Sequence, residues 1–98
     1  MKPPRSSFAR ALRLARNARG MSQEVFDEVS SRTYISALER GLKSPTLPKV
    51  DALAGVLALH PLTLLALGYG SSLGDVEKVL AQVSLEVKEI FGAAELPR

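Results

Sequence analysis

The segment Ser-Arg-Thr-Tyr-Ile-Ser-Ala-Leu-Glu-Arg-Gly, residues 31–41, predicts a short helix with two chemically different sides. At helical spacing, Ile35, Leu38 and Glu39 fall on one side, which favours packing against a core. The other side chains are small, polar or basic, and we expect them to point outward: Arg32, Thr33, Ser36, Ala37 and Arg40. A helix of this kind suits the DNA major groove, which admits one α-helix and displays base-edge donors and acceptors to it.

The distribution of charge also favours a polyanionic partner. Residues 1–49 contain ten Lys and Arg against four Asp and Glu, whereas residues 50–98 contain three against six. The asymmetry indicates a first half that faces a polyanion and a second half with another task. A basic helix that merely lies in solvent is the alternative explanation of the same charges.

Length and composition exclude several other classes of protein. Ninety-eight residues, 46% of them hydrophobic, suffice for one domain and an appended helix but not for two cores. Cysteine is absent, which agrees with a reducing cytoplasm and excludes disulfides and thiolate metal sites. The longest apolar run, at Pro61–Leu67, is too short to span a membrane, and the N-terminus lacks the apolar segment of a signal peptide. We therefore expect a cytoplasmic protein without membrane contact.

The sequence offers nothing for catalysis. It has no carboxylate pair in a suitable pattern, no Ser/His/Asp set and no glycine-rich phosphate loop. His60 is the single histidine and has no second metal ligand near it in the sequence. We expect no enzyme activity, no cofactor, no metal, and no small-molecule effector domain, since few residues remain after the glycine-rich segment at 68–74.

Capping residues, glycines and prolines divide the chain into six helices and predict an all-α fold. Ser6 or Ser7 caps the first helix, which runs to about Ala18 and is closed by Gly20. The later helices are predicted to begin at Ser22, at Ser30 or Ser31, at Thr46, at Leu62 and at Asp75. The apolar stripe predicted for the fourth helix consists of Leu47, Val50, Leu53, Ala54 and Leu57.

We predict a domain over residues 6–68, a short linker over 69–74 and a C-terminal helix over 75–91. The C-terminal helix carries an apolar row close to a coiled-coil seam. It either folds back over the domain or pairs with a second copy, and we favour pairing because a single reading head makes few contacts with DNA. The predicted dimerisation residues are Val76, Val79, Leu80, Val83, Val87, Ile90 and Phe91.

The stretch Leu12–Leu67 resembles the DNA-binding domain of Cro/Xre-type, lambda-repressor-like helix-turn-helix regulators. The motifs that carry the resemblance are Gly20–Glu24, Tyr34–Ser36, Leu38–Gly41, and Pro45 with the Leu53, Ala54 and Leu57 pattern after it. The resemblance implies a five-helix domain whose second and third helices form the helix-turn-helix, here with an additional C-terminal helix.

The resemblance also implies roles for individual residues. The positions that face bases are Arg32, Thr33, Ser36 and Ala37. The positions that face phosphates are Ser22, Gln23, Tyr34, Arg40, Lys43 and Ser44, although packing against a neighbouring helix is an equal alternative for Tyr34. Arg16 and Glu39 match a structural pair that links the first and third helices.

The chain departs from the family pattern just before residue 31. The spacing from Ser22 to Ser31 is about two residues shorter than is usual, and Val29-Ser30 stands where the turn normally has a glycine. Asp27 occupies a position where the family prefers a small alanine. We expect the second helix to be shortened by about half a turn, which changes its angle to the third.

Together these features predict a sequence-specific DNA-binding transcriptional regulator, most simply a repressor. It would bind a pseudo-palindromic operator in double-stranded DNA as a homodimer. The alternative is an antitoxin or protein-interaction module that uses the same fold to bind a protein partner. The excess of positive charge in the first half favours DNA.

Overall fold

The computed structural model describes residues 7–95, which form five α-helices and one 3-10 helix without any strand. The all-α prediction is therefore confirmed. In chain order the elements are α1 (Phe8–Ala18), the 3-10 helix (Gln23–Phe26), α2 (Arg32–Glu39), α3 (Leu47–Val56), α4 (Pro61–Ala66) and α5 (Leu73–Glu95).

Local capping chemistry sets most of the helix boundaries. Ser7, Ser31 and Thr46 each accept a hydrogen bond from the backbone N–H three residues later, at 3.1–3.3 Å. Gly20 and Gly41 follow α1 and α2 with φ of +67° and +74°, the left-handed conformation that ends a helix at low cost for glycine. Ser6, the other candidate cap of α1, lies outside the described residues.

One core joins α1, the 3-10 helix, α2, α3 and α4. Its largest fully buried side chains are Phe26, Leu12, Ile35, Leu38, Leu53, Leu57, Leu64 and Val50. The prediction that Leu47 belongs to the buried stripe of α3 is wrong, because 71% of this side chain is exposed. Helical periodicity predicts the direction of a side chain, but Leu47 opens α3 and no core element lies opposite it.

The second helix is shorter than expected. Its regular part is a single 3-10 turn, and Ser22 makes no side-chain hydrogen bond to it, so the predicted cap is absent. The chain then turns, with the N–H groups of Val29 and Ser30 both donating to the carbonyl of Phe26 at 2.9 Å. The segment between Ser22 and Ser31 thus forms a 3-10 turn and its exit instead of the α-helix that was expected.

The C-terminal helix begins at Leu73, two residues before the predicted start, and continues to Glu95. Its first turn is held by Asp75, whose carboxylate accepts from the N–H and Oγ of Ser71 at 3.1 Å. The Ser71 backbone hydrogen bond is the main reason that the pKa of Asp75 is lowered. A Cβ at Gly70 would lie 2.5 Å from that of Asp75, so this turn requires glycine. Within the described residues, no helix combines the length and the apolarity needed to cross a membrane.

Candidate nucleic-acid interface

The outward side of α2 presents Arg32, Thr33 and Arg40 to solvent, with Ser36 half-buried between them. Ala37 lies four residues after Thr33, but only 7% of it is exposed, so the expectation that it is accessible from the outer side is wrong. Its methyl group is short, and the surrounding atoms leave little of it open to solvent. The exposed surface of α2 is therefore narrower than its sequence indicates.

Glu39 fixes α2 from the inner side. It is 4% exposed, and both of its carboxylate oxygens accept from Arg16, at 2.7 Å from Nε and 2.8 Å from Nη2. Arg16 also donates from Nη1 to the carbonyl of Met21 at 2.8 Å. The two residues that the resemblance pairs thus form a bidentate ion pair that connects α1, α2 and the turn between them.

The pKa of Glu39 reports the balance of forces at this pair. Burial acts to raise the pKa, but the hydrogen bonds from Arg16 and Gln23 and the charges of Arg16 and Arg13 outweigh it, so the pKa is lowered. The same hydrogen bond raises the pKa of Arg16. The pair is therefore ionised at neutral pH.

Gln23 and Ser22 occupy the start of the 3-10 helix, next to α2. The side-chain amide of Gln23 donates to Glu39 Oε1 at 3.2 Å, so this residue is tied to the buried pair as well as facing the solvent side of the turn. Ser22 is exposed, and its hydroxyl makes no capping bond.

Tyr34 lies half-buried between two lysines. Lys43 Nζ is 5.9 Å and Lys49 Nζ 5.5 Å from the centre of its ring, within the range of a cation–π contact. Lys49 also donates to the carbonyl of Val29 at 2.8 Å, which ties α3 to the shortened turn. The sequence gives no sign of this role of Lys49, because its acceptor lies twenty residues earlier and no local pattern connects them. Ser44 is exposed beside Lys43.

Four arginines at three-residue spacing have structural partners: Arg10, Arg13 and Arg16 of α1, and Arg19 just after it. Each donates to a backbone carbonyl outside α1: Gly70 for Arg10, Glu39 for Arg13, Met21 for Arg16 and Ala58 for Arg19. These carbonyls lie after α4, at the end of α2, before the 3-10 helix and after α3, where helix ends leave acceptors unpaired. Much of the positive charge of the first half therefore holds the domain together.

Arg32, the first residue of α2, is exposed but paired. Its Nη2 lies 3.1 Å from Asp27 Oδ2 and its Nε 3.4 Å from Asp27 Oδ1, and Glu24 Oε1 is 3.8 Å from Nη2. The hydrogen bonds that Arg32 donates to Asp27 are the main cause of the raised pKa of Arg32. Neither contact was predicted from the sequence.

A second surface runs along α5. No residue of this helix is buried, and its main contact is with α4. Val76 and Val79 are half-buried near α4, whereas Ile90 and Phe91 near the far end are 69% and 64% exposed. Leu80, Val83 and Val87 continue the same row between them and are exposed. An apolar groove of about 360 Å³ opens between α4 and α5, lined by Leu62, Leu65, Ala66, Tyr69, Val79, Leu80 and Val83.

Comparison with known proteins agrees with this geometry. A family model described as helix-turn-helix matches residues 12–64, more than half of the chain and the span from α1 to α4. The comparisons with curated proteins and with solved structures give no match. The matched family consists of DNA-binding regulators that are generally non-enzymatic. The match covers both the short helical turn and α2, which the Arg16–Glu39 pair holds in place. The chain therefore belongs to the Cro/C1-type, Xre-like helix-turn-helix family.

Proposed function

We propose that this helix-turn-helix protein is a sequence-specific transcriptional repressor that binds a pseudo-palindromic operator as a homodimer. One observation carries the proposal: α2 is fixed from behind by the Arg16–Glu39 pair and leaves Arg32 and Thr33 exposed at its N-terminal end. In helix-turn-helix proteins, the N-terminal residues of the recognition helix contact base edges in the major groove. Repression follows if the bound dimer excludes polymerase from an overlapping promoter.

The candidate contacts fall into two groups. Arg32, Thr33 and Ser36 are the base readers, because they are the accessible residues on the outer side of α2. The second group consists of residues proposed to contact the DNA phosphates, and such contacts fix the register of the protein on DNA without reading its sequence. These residues are Ser22, Gln23, Tyr34, Arg40, Lys43 and Ser44. Ala37 is left out of the base readers because of its burial.

The dimer would form through α5. This helix is 23 residues long and none of its residues is buried. Helices in proteins owe most of their stability to packing, so α5 gains little from its own domain. Pairing with the α5 of a second copy would bury the row and place two reading heads on one duplex. Two heads are what a pseudo-palindromic operator requires.

The test is selection of bound duplexes from a random library, followed by two variants. Arg32→Ala should lose discrimination at one base position per half-site, by about tenfold. Lys43→Ala should weaken binding to all duplexes alike and lower the slope of log affinity against log salt by about one unit per protomer. Lys88→Ala, on α5, removes the same charge away from α2 and serves as the control. If both variants bind the selected operator as the wild type does, the docking of α2 is wrong.

A protein partner is the competing function, and the exposed row of α5 is the observation that favours it. An antitoxin or adaptor would use this row to bind another protein. A salt titration on random duplex DNA separates the two. A DNA-binding protein should associate at about micromolar Kd with strong salt dependence, whereas an adaptor should scarcely bind.

A further inference from the structure

The pairing of Asp27 with Arg32 occupies one defined edge of the guanidinium group. Asp27 accepts from Nε and Nη2, at 3.4 and 3.1 Å, which is the side edge of the group. The end edge, formed by Nη1 and the second hydrogen of Nη2, makes no hydrogen bond to any of residues 7–95. A guanidinium carries five N–H donors in a rigid plane, so one edge can be held while the other binds a ligand.

The free edge matches the acceptors of a guanine. Guanine displays O6 and N7 side by side in the major groove, and a bidentate arginine is its commonest specific partner. An exposed arginine at a helix start otherwise samples many rotamers, and it must lose that freedom to make two hydrogen bonds at once. A carboxylate that holds the side edge removes much of this freedom before DNA arrives.

We propose that Asp27 is a specificity-determining residue that positions Arg32, so that the end edge of its guanidinium reads one guanine in each half-site. The inference rests on the proposed function, since it requires α2 to enter the major groove. Asp27 touches no base itself and acts through Arg32. The shortened 3-10 helix makes this possible, because the chain turns at Asp27 and brings its carboxylate back to the start of α2.

The same carboxylate has an opposite effect on general affinity. Asp27 and Glu24 are exposed negative charges on the DNA-facing side of the turn, and both repel phosphates. Glu24 lies 3.8 Å from Nη2, beyond hydrogen-bond distance, so it acts on Arg32 by charge alone. Removing either residue should raise affinity for any duplex, but only removal of Asp27 should release Arg32.

The experiment compares Asp27→Ala with Glu24→Ala in the full chain, with wild type and Arg32→Ala as references. For each protein, Kd is measured for the selected operator, for that operator with the guanine replaced by adenine in both half-sites, and for random duplex DNA. The discrimination ratio is the Kd for the adenine operator divided by the Kd for the guanine operator. We expect Glu24→Ala to bind all three duplexes more tightly with this ratio unchanged. Asp27→Ala should also bind random DNA more tightly, but its ratio should fall several-fold toward that of Arg32→Ala.

Three results would overturn the inference, and the third would also contradict the proposed function. An unchanged ratio in Asp27→Ala would show that Asp27 acts only as a repulsive charge. A higher ratio would show that it competes with guanine for Arg32. If the wild type selects no sequence and binds random DNA without salt dependence, the proposed function fails with it. Both substituted residues are exposed, and circular dichroism of each variant checks that the fold is kept.

Discussion

Glu39 is the residue on which the geometry of the reading helix depends. It sits beneath α2, almost fully buried, with Arg16 on both oxygens and Gln23 on one. Removing one partner of a buried ion pair costs more than the pair contributes, because the other charge stays buried and unpaired. Its effect on DNA binding is therefore indirect, through the position of Arg32 and Thr33.

Glu39→Gln should lower the free energy of unfolding by about 2–4 kcal/mol, at the lower part of the range for broken buried pairs, since Arg16 retains some access to solvent. Chemical denaturation measures the change. Glu28→Gln removes the same charge from an exposed site and should change stability by less than about 0.5 kcal/mol. A loss in Glu39→Gln no larger than in this control would contradict the role assigned to Glu39.

The lowered pKa of Glu39 also predicts a pH dependence. The unfolded chain binds the proton at the ordinary value of 4.5, whereas the folded chain binds it at a lower pH. The stabilisation is therefore complete above pH 4.5 and is lost as the pH falls through the folded pKa. The difference in stability between wild type and Glu39→Gln should accordingly shrink in acid, as denaturation at a series of pH values would show.

At the scale of elements, the 3-10 helix is held in place by a contact with α3, because it has no side-chain cap of its own. Its single turn has no side-chain cap, and the carbonyl of Val29 just after it is bound by Lys49 of α3. Phe26 anchors the same turn in the core. A short element therefore keeps a fixed position before α2, because its own Phe26 is buried in the core and Lys49 of α3 binds the segment just after it.

Lys49→Met should destabilise the domain by about 1–2 kcal/mol, since it leaves the Val29 carbonyl without its charged donor. Lys43→Met is the matched control: Lys43 also lies beside the Tyr34 ring, but makes no hydrogen bond to this turn. Urea denaturation measures both, and amide exchange at Val29 and Ser30 should be faster in Lys49→Met alone. Equal losses in both variants would assign the effect to Tyr34 instead.

At the scale of the whole molecule, α5 makes the protein elongated. The described residues extend 51 × 27 × 23 Å, and a helix of 23 residues accounts for about 34 Å of length. Its apolar row continues from the α4–α5 groove to the far end of the helix. Exposed apolar patches of this extent are characteristic of protein–protein contacts.

Ile90→Asp should convert the proposed dimer to a monomer, because a carboxylate would have to be buried in the seam. Leu85→Asp is the matched control: Leu85 is an exposed aliphatic residue of the same helix, outside the predicted row. Light scattering coupled to gel filtration gives the mass of each variant. A monomeric wild type, or equal dissociation of both variants, would reject the seam.

The sequence by itself determined the family, the order of the helices and most of their caps, the Ser22 cap of the second helix excepted. Ser7, Ser31, Thr46, Gly20 and Gly41 act on backbone groups within a few residues, so their effects follow from local chemistry. The motifs of the helix-turn-helix likewise lie in continuous stretches, and the family match covers them. Periodicity also predicted most of the buried core.

Tertiary structure decided which of the residues expected on the outside of the domain are accessible and which are covered or bound to another segment. Ala37 is covered, Leu47 is exposed, and the arginines in and just after α1 donate to backbone carbonyls outside that helix. None of these outcomes follows from spacing, because each depends on what a distant segment places opposite the side chain. The partnership of Arg32 with Asp27 is of the same kind: it arises from a shortened turn whose path only the folded chain defines.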